Sequence, residues 1–146
     1  MPLPLKEAVA VAIPCLQDQR CLLLVQRPEA PGEELPGVWG LPAASLWPGE
    51  DDAAALERLG RQKLGAQVQP LRLLAQGQHQ RAGYLLLMRL YQALLAGEPH
   101  LAAVADEGIT LYTDWRWAKP ESLQEAAAQG SLCSRLFLHS LESSHR

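Results

Sequence analysis

The residues best suited to chemistry lie on a short helix predicted in the first half of the chain. Arg58, Arg61 and Lys63 place three positive charges close together there, and arginine and lysine are common ligands of phosphate oxygens. A solvated helix end is the alternative, because the helix dipole stabilises a cation near the C-terminus without any ligand. The cluster therefore indicates either a phosphate site or an ordinary helix end.

Aromatic residues offer a second kind of chemistry. Trp47 lies in the loop just before Pro48-Gly49-Glu50, and exposed aromatic rings commonly stack on nucleobases. Trp47 is therefore a candidate for stacking on a ligand. The four histidines are scattered without the spacing of a metal site and are assigned no role; they are His79, His100, His139 and His145.

Alternating strands and helices must position these residues. Hydrophobic patterns predict β-strands at residues 8–14, 21–26, 38–41, 68–75, 84–95 and 111–118. A helix is predicted over residues 53–64, with Asp51 or Asp52 as its N-cap and Gly65 as its C-terminal stop. A polar turn is predicted at residues 77–83. Two further helices follow, one from about Ser122 to Gly130 and one after Ser131.

Composition excludes several functional classes. The chain has 146 residues, of which 48% are hydrophobic and 20% charged, a balance typical of folded rather than disordered proteins. With a net charge of −3, the chain lacks the general positive field that binding to extended nucleic acids or anionic membranes requires. We therefore expect a single domain over residues 1–146 that binds neither.

Cysteine use and hydropathy favour a cytoplasmic protein. Cys15, Cys21 and Cys133 are odd in number and lack the paired spacing of a zinc or redox motif. No window approaches the length of about 18 apolar residues that a membrane span needs, because even residues 84–95 include Arg89 and Gln92.

A family resemblance rests on one continuous region. Residues 37–42 read Gly-Val-Trp-Gly-Leu-Pro, and Pro48-Gly49-Glu50 precedes an alanine-rich helix that carries Arg58 and ends at Gly65. This region resembles the Nudix superfamily, whose signature G-x5-E-x7-R-E-U-x-E-E-x-G-U, with U an aliphatic residue, aligns with residues 44–66 without a gap. Outside the signature the resemblance includes Arg27 at the end of a strand, Trp117, Pro120 and Leu123.

The resemblance implies both a fold and an activity. The implied fold is α/β of the α+β type, a Nudix α/β/α sandwich around a mixed β-sheet. The implied activity is cleavage of a pyrophosphate in a nucleoside diphosphate linked to another group, with Mg²⁺ or Mn²⁺ as cofactor. Glu50 would be a metal ligand and catalytic residue, and Glu107 a second catalytic residue from a loop. Arg58, Lys63 and Trp47 would bind the substrate, and a homodimer is an open alternative.

The signature departs from the family where the metal carboxylates belong. Those three positions hold Leu59, Gln62 and Lys63, which share one helical face because they are spaced i, i+3 and i+4. Mg²⁺ prefers oxygen ligands, and a cation about 4 Å from the Lys63 ammonium would meet about 4 kcal/mol of repulsion at an effective dielectric of 20. Metal binding is therefore predicted to be weak or absent. Leu59 indicates either a filled, closed cleft or an apolar ligand pocket.

Two functional hypotheses follow from this degenerate Nudix box at residues 44–66. The first is a Nudix-type hydrolase whose metal site is atypical and whose activity is weak or lost. The second is a non-catalytic Nudix-fold module that binds a nucleotide or phosphorylated metabolite through Arg58, Lys63 and Trp47. The family favours the first hypothesis and the residue types favour the second.

Overall fold

The computed structural model describes residues 3–29, 35–101 and 111–144. Its strands are β1 (Leu5–Ala12), β2 (Leu22–Gln26), β3 (Trp39–Gly40), β4 (Ala43–Ser45), β5 (Val68–Arg81), β6 (Tyr84–Leu95) and β7 (Asp114–Ala118). Its helices are α1 (Asp52–Arg58), which continues as a π-helical segment (Leu59–Leu64), a 3-10 turn (Pro120–Leu123), α2 (Gln124–Ala128) and α3 (Leu132–Ser144).

The strands form two sheets. The larger has the order β4-β1-β6-β5 and the smaller the order β3-β2-β7. Strands β1 and β6 run parallel, with Val9 opposite Arg89, whereas β4 and β5 pair in the antiparallel direction with their neighbours. The larger sheet is therefore mixed, as the sequence predicts.

Helices cover the strands from two sides. Side chains alternate along β1, so that Val9 and Val11 pack in one apolar cluster with the α1 region, while Ala8 and Ala10 pack in another with α3. The inner strands are apolar on both faces because each face is covered. This α/β/α layering of a mixed α+β fold confirms the predicted fold class.

One strand is longer than its sequence pattern indicates. β5 was expected to end at residue 75, with a turn over residues 77–83, but it continues to Arg81 and pairs with β6 as far as Tyr84. The tight turn is confined to Ala82 and Gly83. Because β5 is an edge strand with one solvated side, its last residues are polar and resemble a loop in sequence.

The helix predicted over residues 53–64 is present, but it changes from an α-helix to a π-helix partway along. Asp51 Oδ1 accepts a hydrogen bond from the Ala54 backbone nitrogen at 2.8 Å and so caps α1 as expected. From Leu59 onward the chain is π-helical, and it ends at Gly65, whose φ of 66° is left-handed. Gly65 is therefore the stop that the sequence predicts.

The last helix begins where the sequence places it. Ser131 Oγ accepts a hydrogen bond from the Ser134 backbone nitrogen at 3.3 Å, which satisfies a donor at the start of α3. Phe137 then packs against the sheet. Within the described ranges, no helix combines the length and the apolar composition needed to cross a membrane.

Candidate ligand-binding cleft

The loop before α1 is held by a buried ion pair. Arg58 Nη2 donates to Glu50 Oε1 at 2.8 Å and Arg58 Nε donates to Glu50 Oε2 at 3.0 Å. The same Nη2 donates to the Ser45 carbonyl oxygen at 2.6 Å. Only 6% of the Arg58 side chain and 12% of the Glu50 side chain are exposed. These hydrogen bonds from Arg58 hold the pKa of the Glu50 carboxyl below its ordinary value.

Trp47 belongs to the same cluster. Its ring lies under the Arg58 guanidinium, with the Cζ atom 4.0 Å from the ring centroid, and its backbone nitrogen donates to Glu50 Oε1 at 3.0 Å. The structure thus brings Glu50, Arg58 and Trp47 into one cluster. They contact one another, however, so both Glu50 oxygens and one face of the Trp47 ring are already engaged.

The three positions of the signature helix have different surroundings. Leu59 is fully buried in the apolar cluster between α1 and the sheet, in agreement with a filled cleft. Lys63 Nζ donates to the Ala43 carbonyl oxygen at 2.8 Å and lies 5.1 Å from the centroid of the Tyr112 ring. Gln62 Oε1 is buried and meets no donor in the described part of the chain. Leu59 therefore belongs to the core, whereas Lys63 reaches the backbone at the first residue of β4.

The described residues do not fit the divalent metal that the family implies. Nowhere in residues 3–29, 35–101 and 111–144 do three or more His, Cys, Asp or Glu side chains gather to hold an ion. A metal at Glu50 would have to displace both hydrogen bonds from Arg58. Glu107, the other predicted catalytic residue, lies outside the described residues.

Lys63 instead lines a basic cleft. Three other cationic side chains, Lys6, Arg27 and Arg81, line the same cleft, whose volume is about 160 Å³. The described lining includes no aspartate or glutamate. Four like charges around one concave space raise the local concentration of anions.

The remaining wall of the cleft is partly apolar. Leu86 and Met88 come from β6, and Leu132 comes from the start of α3. Tyr84 lies beneath the Lys6 ammonium, which is 4.7 Å from the centroid of the ring. The cleft therefore offers cations together with apolar surface, an arrangement suited to a phosphorylated organic molecule.

A second charged network was missed by the sequence analysis. Arg89 donates to Asp52 through Nε at 2.7 Å and Nη2 at 2.6 Å, and its Nη1 donates to Glu7 at 2.9 Å. Tyr91 also donates to Asp52. The bonds from Arg89 lower the pKa of Asp52, while burial and the neighbouring Asp52 raise the pKa of Tyr91 to about 12. This network ties α1 to β1 and β6.

The sequence contains only weak signals for the Arg89 network and for the basic cleft. Arg89 interrupts the otherwise apolar strand over residues 84–95, which marks it as a charge that needs a buried partner. The cations of the cleft carry no comparable signal, because Lys6 and Arg81 are 75 positions apart in the sequence. Only the pairing of β1, β5 and β6 brings them to one place.

The strand order, the loop held by Glu50 and Arg58, and the helix that ends at Gly65 together define a Nudix-type domain. The family model for the NUDIX domain matches residues 6–139, and the chain belongs to this family. It is thus a member of the Nudix hydrolase family in fold and sequence.

Solved structures of the same fold agree with this assignment. The MutT protein from Methanosarcina mazei Go1 has a TM-score of 0.78 at 14% identity, covering 100% of this chain and 99% of that chain. A NUDIX hydrolase from Nitrosomonas europaea has a TM-score of 0.70 at 18% identity, covering 100% and 92%. An Ap4A hydrolase from C. elegans has a TM-score of 0.67 at 17% identity, covering 97% and 99%. No curated protein sequence matches the chain.

Proposed function

We propose that this chain binds a nucleotide or another small phosphorylated metabolite in the basic cleft, and that its pyrophosphate hydrolysis is weak or lost. Protein cations would hold the phosphate groups in place of a divalent metal. The observation that carries the proposal is the lining of the cleft by four cationic side chains, those of Lys6, Arg27, Lys63 and Arg81.

The burial of Lys63 supports this role. The residue is only 9% exposed, and a lysine is rarely buried unless its charge is compensated. The Ala43 carbonyl oxygen and the Tyr112 ring are among the partners of its ammonium. A phosphate oxygen in the cleft would add a charge-assisted hydrogen bond, which is stronger than a neutral one.

The proposed site differs from the sequence prediction in which residues contact the ligand. Arg58 and Trp47 were predicted to bind substrate, yet their contacts with Glu50 and Ser45 favour a supporting role for the loop. Of the three residues predicted to bind substrate, Lys63 is the one that lines the cleft. Lys6, Arg27 and Arg81 are added to it.

Metal-free binding is the direct test. Isothermal titration calorimetry with ADP, ATP and inorganic pyrophosphate, in the presence of excess chelator, should show saturable binding. Lys63→Met should weaken it about tenfold or more, since a hydrogen bond to a charged group contributes about 1.5–3 kcal/mol. Arg61→Met is the matched control, because it removes the same charge from an exposed position on the same helix and should leave the affinity unchanged.

Two outcomes would contradict the proposal. One is binding that requires Mg²⁺ or Mn²⁺ and disappears with chelator, which would restore the metal-dependent hypothesis. The other is equal affinity of the wild type and Lys63→Met for every probe, which would separate the ammonium from the ligand.

Hydrolysis with a loosely bound metal is the second candidate function. It is favoured by the family of the chain and by its likeness in fold to hydrolases such as the MutT protein. In this candidate Glu50 is a metal ligand and Glu107 a catalytic residue, with Mg²⁺ or Mn²⁺ bound weakly. A cytoplasmic location and a homodimer stay predictions from the sequence.

A further inference from the structure

Two cysteines face each other where the chain passes from β1 to β2. Pro14 forms an antiparallel bridge with Leu22, and the Cys15 backbone nitrogen donates to the Cys21 carbonyl oxygen at 2.9 Å. This register sets the two cysteines opposite each other and closes residues 16–20 into a loop between them. Opposite residues in such a hydrogen-bonded pair have Cα atoms about 5.5 Å apart, which lies inside the range of about 4.4–6.8 Å that a disulfide spans.

Both thiols are directed at side chains of this loop. Cys15 Sγ donates to Gln17 Oε1 at 3.2 Å, and Cys21 Sγ donates to Asp18 Oδ2 at 3.8 Å. Partial burial and the neighbouring Asp18 raise the pKa of the Cys21 thiol, and the charge of Cys15 raises it further. The two sulfur atoms therefore lie near each other, although no disulfide joins them in this structure.

The regular strand pairing ends at the two cysteines. The Cys21 backbone nitrogen donates to the Asp18 carbonyl oxygen at 2.9 Å, within the loop itself. The cysteine pair is therefore not held on both sides by a continuous ladder, and small backbone shifts can bring the two side chains to bonding distance.

The two cysteines differ in their access to solvent. Cys15 is only 7% exposed, whereas Cys21 is half-buried. A dissolved oxidant therefore reaches Cys21 first. An accessible thiol beside a second, resolving cysteine is the usual arrangement at sites of reversible oxidation.

We propose that Cys15 and Cys21 form a reversible disulfide when a low-molecular-weight disulfide such as oxidised glutathione accumulates. The Cys21 thiol loses its proton to solvent, and its sulfur attacks one sulfur of the oxidant, which releases one small thiol. The Cys15 thiol then loses its proton, and its sulfur attacks Cys21 Sγ, which breaks the mixed disulfide and releases the second small thiol. The protein loses two electrons and two protons, and the small disulfide is reduced to two thiols.

This site lies away from the basic cleft. Leu16 and Gln17 of the loop line a different pocket, of about 210 Å³, beside Leu95 at the end of β6. The basic cleft instead includes Leu86, near the start of the same strand. The disulfide thus closes the loop at the rim of the second pocket, and the inference does not depend on the proposed function.

Mass spectrometry of the folded wild type tests the disulfide. After incubation with excess oxidised glutathione at mildly alkaline pH, the protein should lose the mass of two hydrogen atoms and carry no glutathione. Trypsin cleaves after Arg20, between the two cysteines, so the oxidised protein should give one linked pair of peptides where the reduced protein gives two separate ones. Dithiothreitol should restore the separate peptides.

Three variants test the order of the steps. Cys15→Ser should stop after the first step, with one glutathione bound to Cys21. Cys21→Ser should leave the buried Cys15 unmodified. Cys133→Ser is the matched control, because it removes a buried cysteine from the cluster that packs with α3, and it should form the disulfide as the wild type does.

Several outcomes would overturn this inference. They are a wild type that retains glutathione on Cys21, one whose disulfide includes Cys133 or joins two chains, and one whose thiols all stay reduced after the treatment. The proposed function is tested separately, because the oxidised and the reduced wild type should bind pyrophosphate equally well in the presence of chelator. Absence of binding in both forms would contradict the proposed function and leave the disulfide standing.

Discussion

Arg58 supports the loop before α1 through four contacts. Its guanidinium donates to both oxygens of Glu50 and to the Ser45 carbonyl, and it lies on the ring of Trp47. Breaking a buried ion pair costs more than the pair itself contributes, because the remaining charge is left without a partner in a poorly hydrated place. The loop geometry thus depends on this side chain even if no ligand touches it.

Replacement of Arg58 should therefore destabilise the protein. We expect Arg58→Ala to lower the free energy of unfolding by about 3 kcal/mol, measured by urea denaturation at pH 7. Arg61→Ala should change it by no more than about 0.5 kcal/mol, because the Arg61 pair with Glu57 is exposed. Equal effects of the two substitutions would show that the Glu50 pair is not a buried support.

Lys63 reverses the charge of a position that the family uses for a metal carboxylate. The ammonium is directed to a backbone carbonyl at the edge of the basic cleft, so the site attracts anions directly. A bound metal ion and a lysine ammonium are alternative ways to balance the negative charge of a phosphate group. In the proposed function, this lysine takes the place of the metal in binding the phosphate.

At the scale of elements, the π-helical segment packs closely at Gly60 against the chain that leads into β5. A methyl group on Gly60 would lie 2.5 Å from the Ala66 carbonyl oxygen and 2.9 Å from the Val68 backbone nitrogen. Both of these atoms belong to the backbone, so neither moves without shifting the start of β5. A glycine at this position is therefore required by space rather than by φ.

Gly60→Ala should consequently destabilise the fold, although glycine to alanine is usually favourable inside a helix. We expect a loss of about 1–3 kcal/mol, as for other overpacked sites, measured by thermal and urea denaturation. Gly40→Ala is the control, because the nearest atom to its new methyl group is Ser134 Oγ at 3.9 Å. A stabilised Gly60→Ala variant would contradict the observed packing.

The Asp52 network predicts a dependence of stability on pH. Its contacts with Arg89 lower the pKa of Asp52 in the folded state, so the unfolded state takes up a proton first as the pH falls. The stabilisation is complete above the ordinary carboxyl pKa of about 4 and is lost as the pH drops through the lowered value.

Asp52→Asn measures this contribution. The difference in free energy of unfolding between wild type and Asp52→Asn should be largest near pH 6 and should shrink from about pH 4 downward. Urea denaturation at several pH values tests this. Tyr91→Phe, which removes one of the hydrogen bonds to Asp52, should be less destabilising than Asp52→Asn near pH 6. A difference between wild type and Asp52→Asn that stays constant from pH 6 to pH 2 would refute the prediction.

At the scale of the whole molecule, two helical layers enclose the strands and leave the basic cleft open between β1, β6 and the start of α3. The layers supply a rigid frame, since both apolar clusters include residues of β1 and β2. Positions on such a frame keep their distances when single residues change, so the proposed loss of metal carboxylates is compatible with a retained cleft.

Hydrolysis should nevertheless be slow. We expect Mg²⁺-dependent release of phosphate or nucleoside monophosphate, across a panel of nucleoside diphosphate derivatives, to stay far below the median enzyme turnover of about 10 per second. The carboxylates that would polarise the phosphoryl oxygen through a metal are missing at positions 59, 62 and 63. A MutT-type hydrolase assayed in parallel is the positive control, and comparable turnover by the two proteins would reject the proposal.

The sequence by itself determined the family, the layered fold and the residue types at positions 59, 62 and 63. Each of these depends on local pattern. Apolar runs predict the strands, Asp51 caps the helix and Gly65 ends it. The signature aligns without a gap, so its substitutions are read one position at a time. The limits of β5 were misjudged because the solvated edge of a sheet has the composition of a loop.

Only the tertiary structure decided what the candidate site residues contact. It joined Arg58 to Glu50 and Trp47, buried Leu59 and turned Lys63 toward the cleft. It also brought Lys6 beside Arg81 through the pairing of β1 with β6 and of β6 with β5. Charges that meet across strands leave no periodic trace along the chain, because electrostatic interactions depend on distance in space and not on separation in sequence.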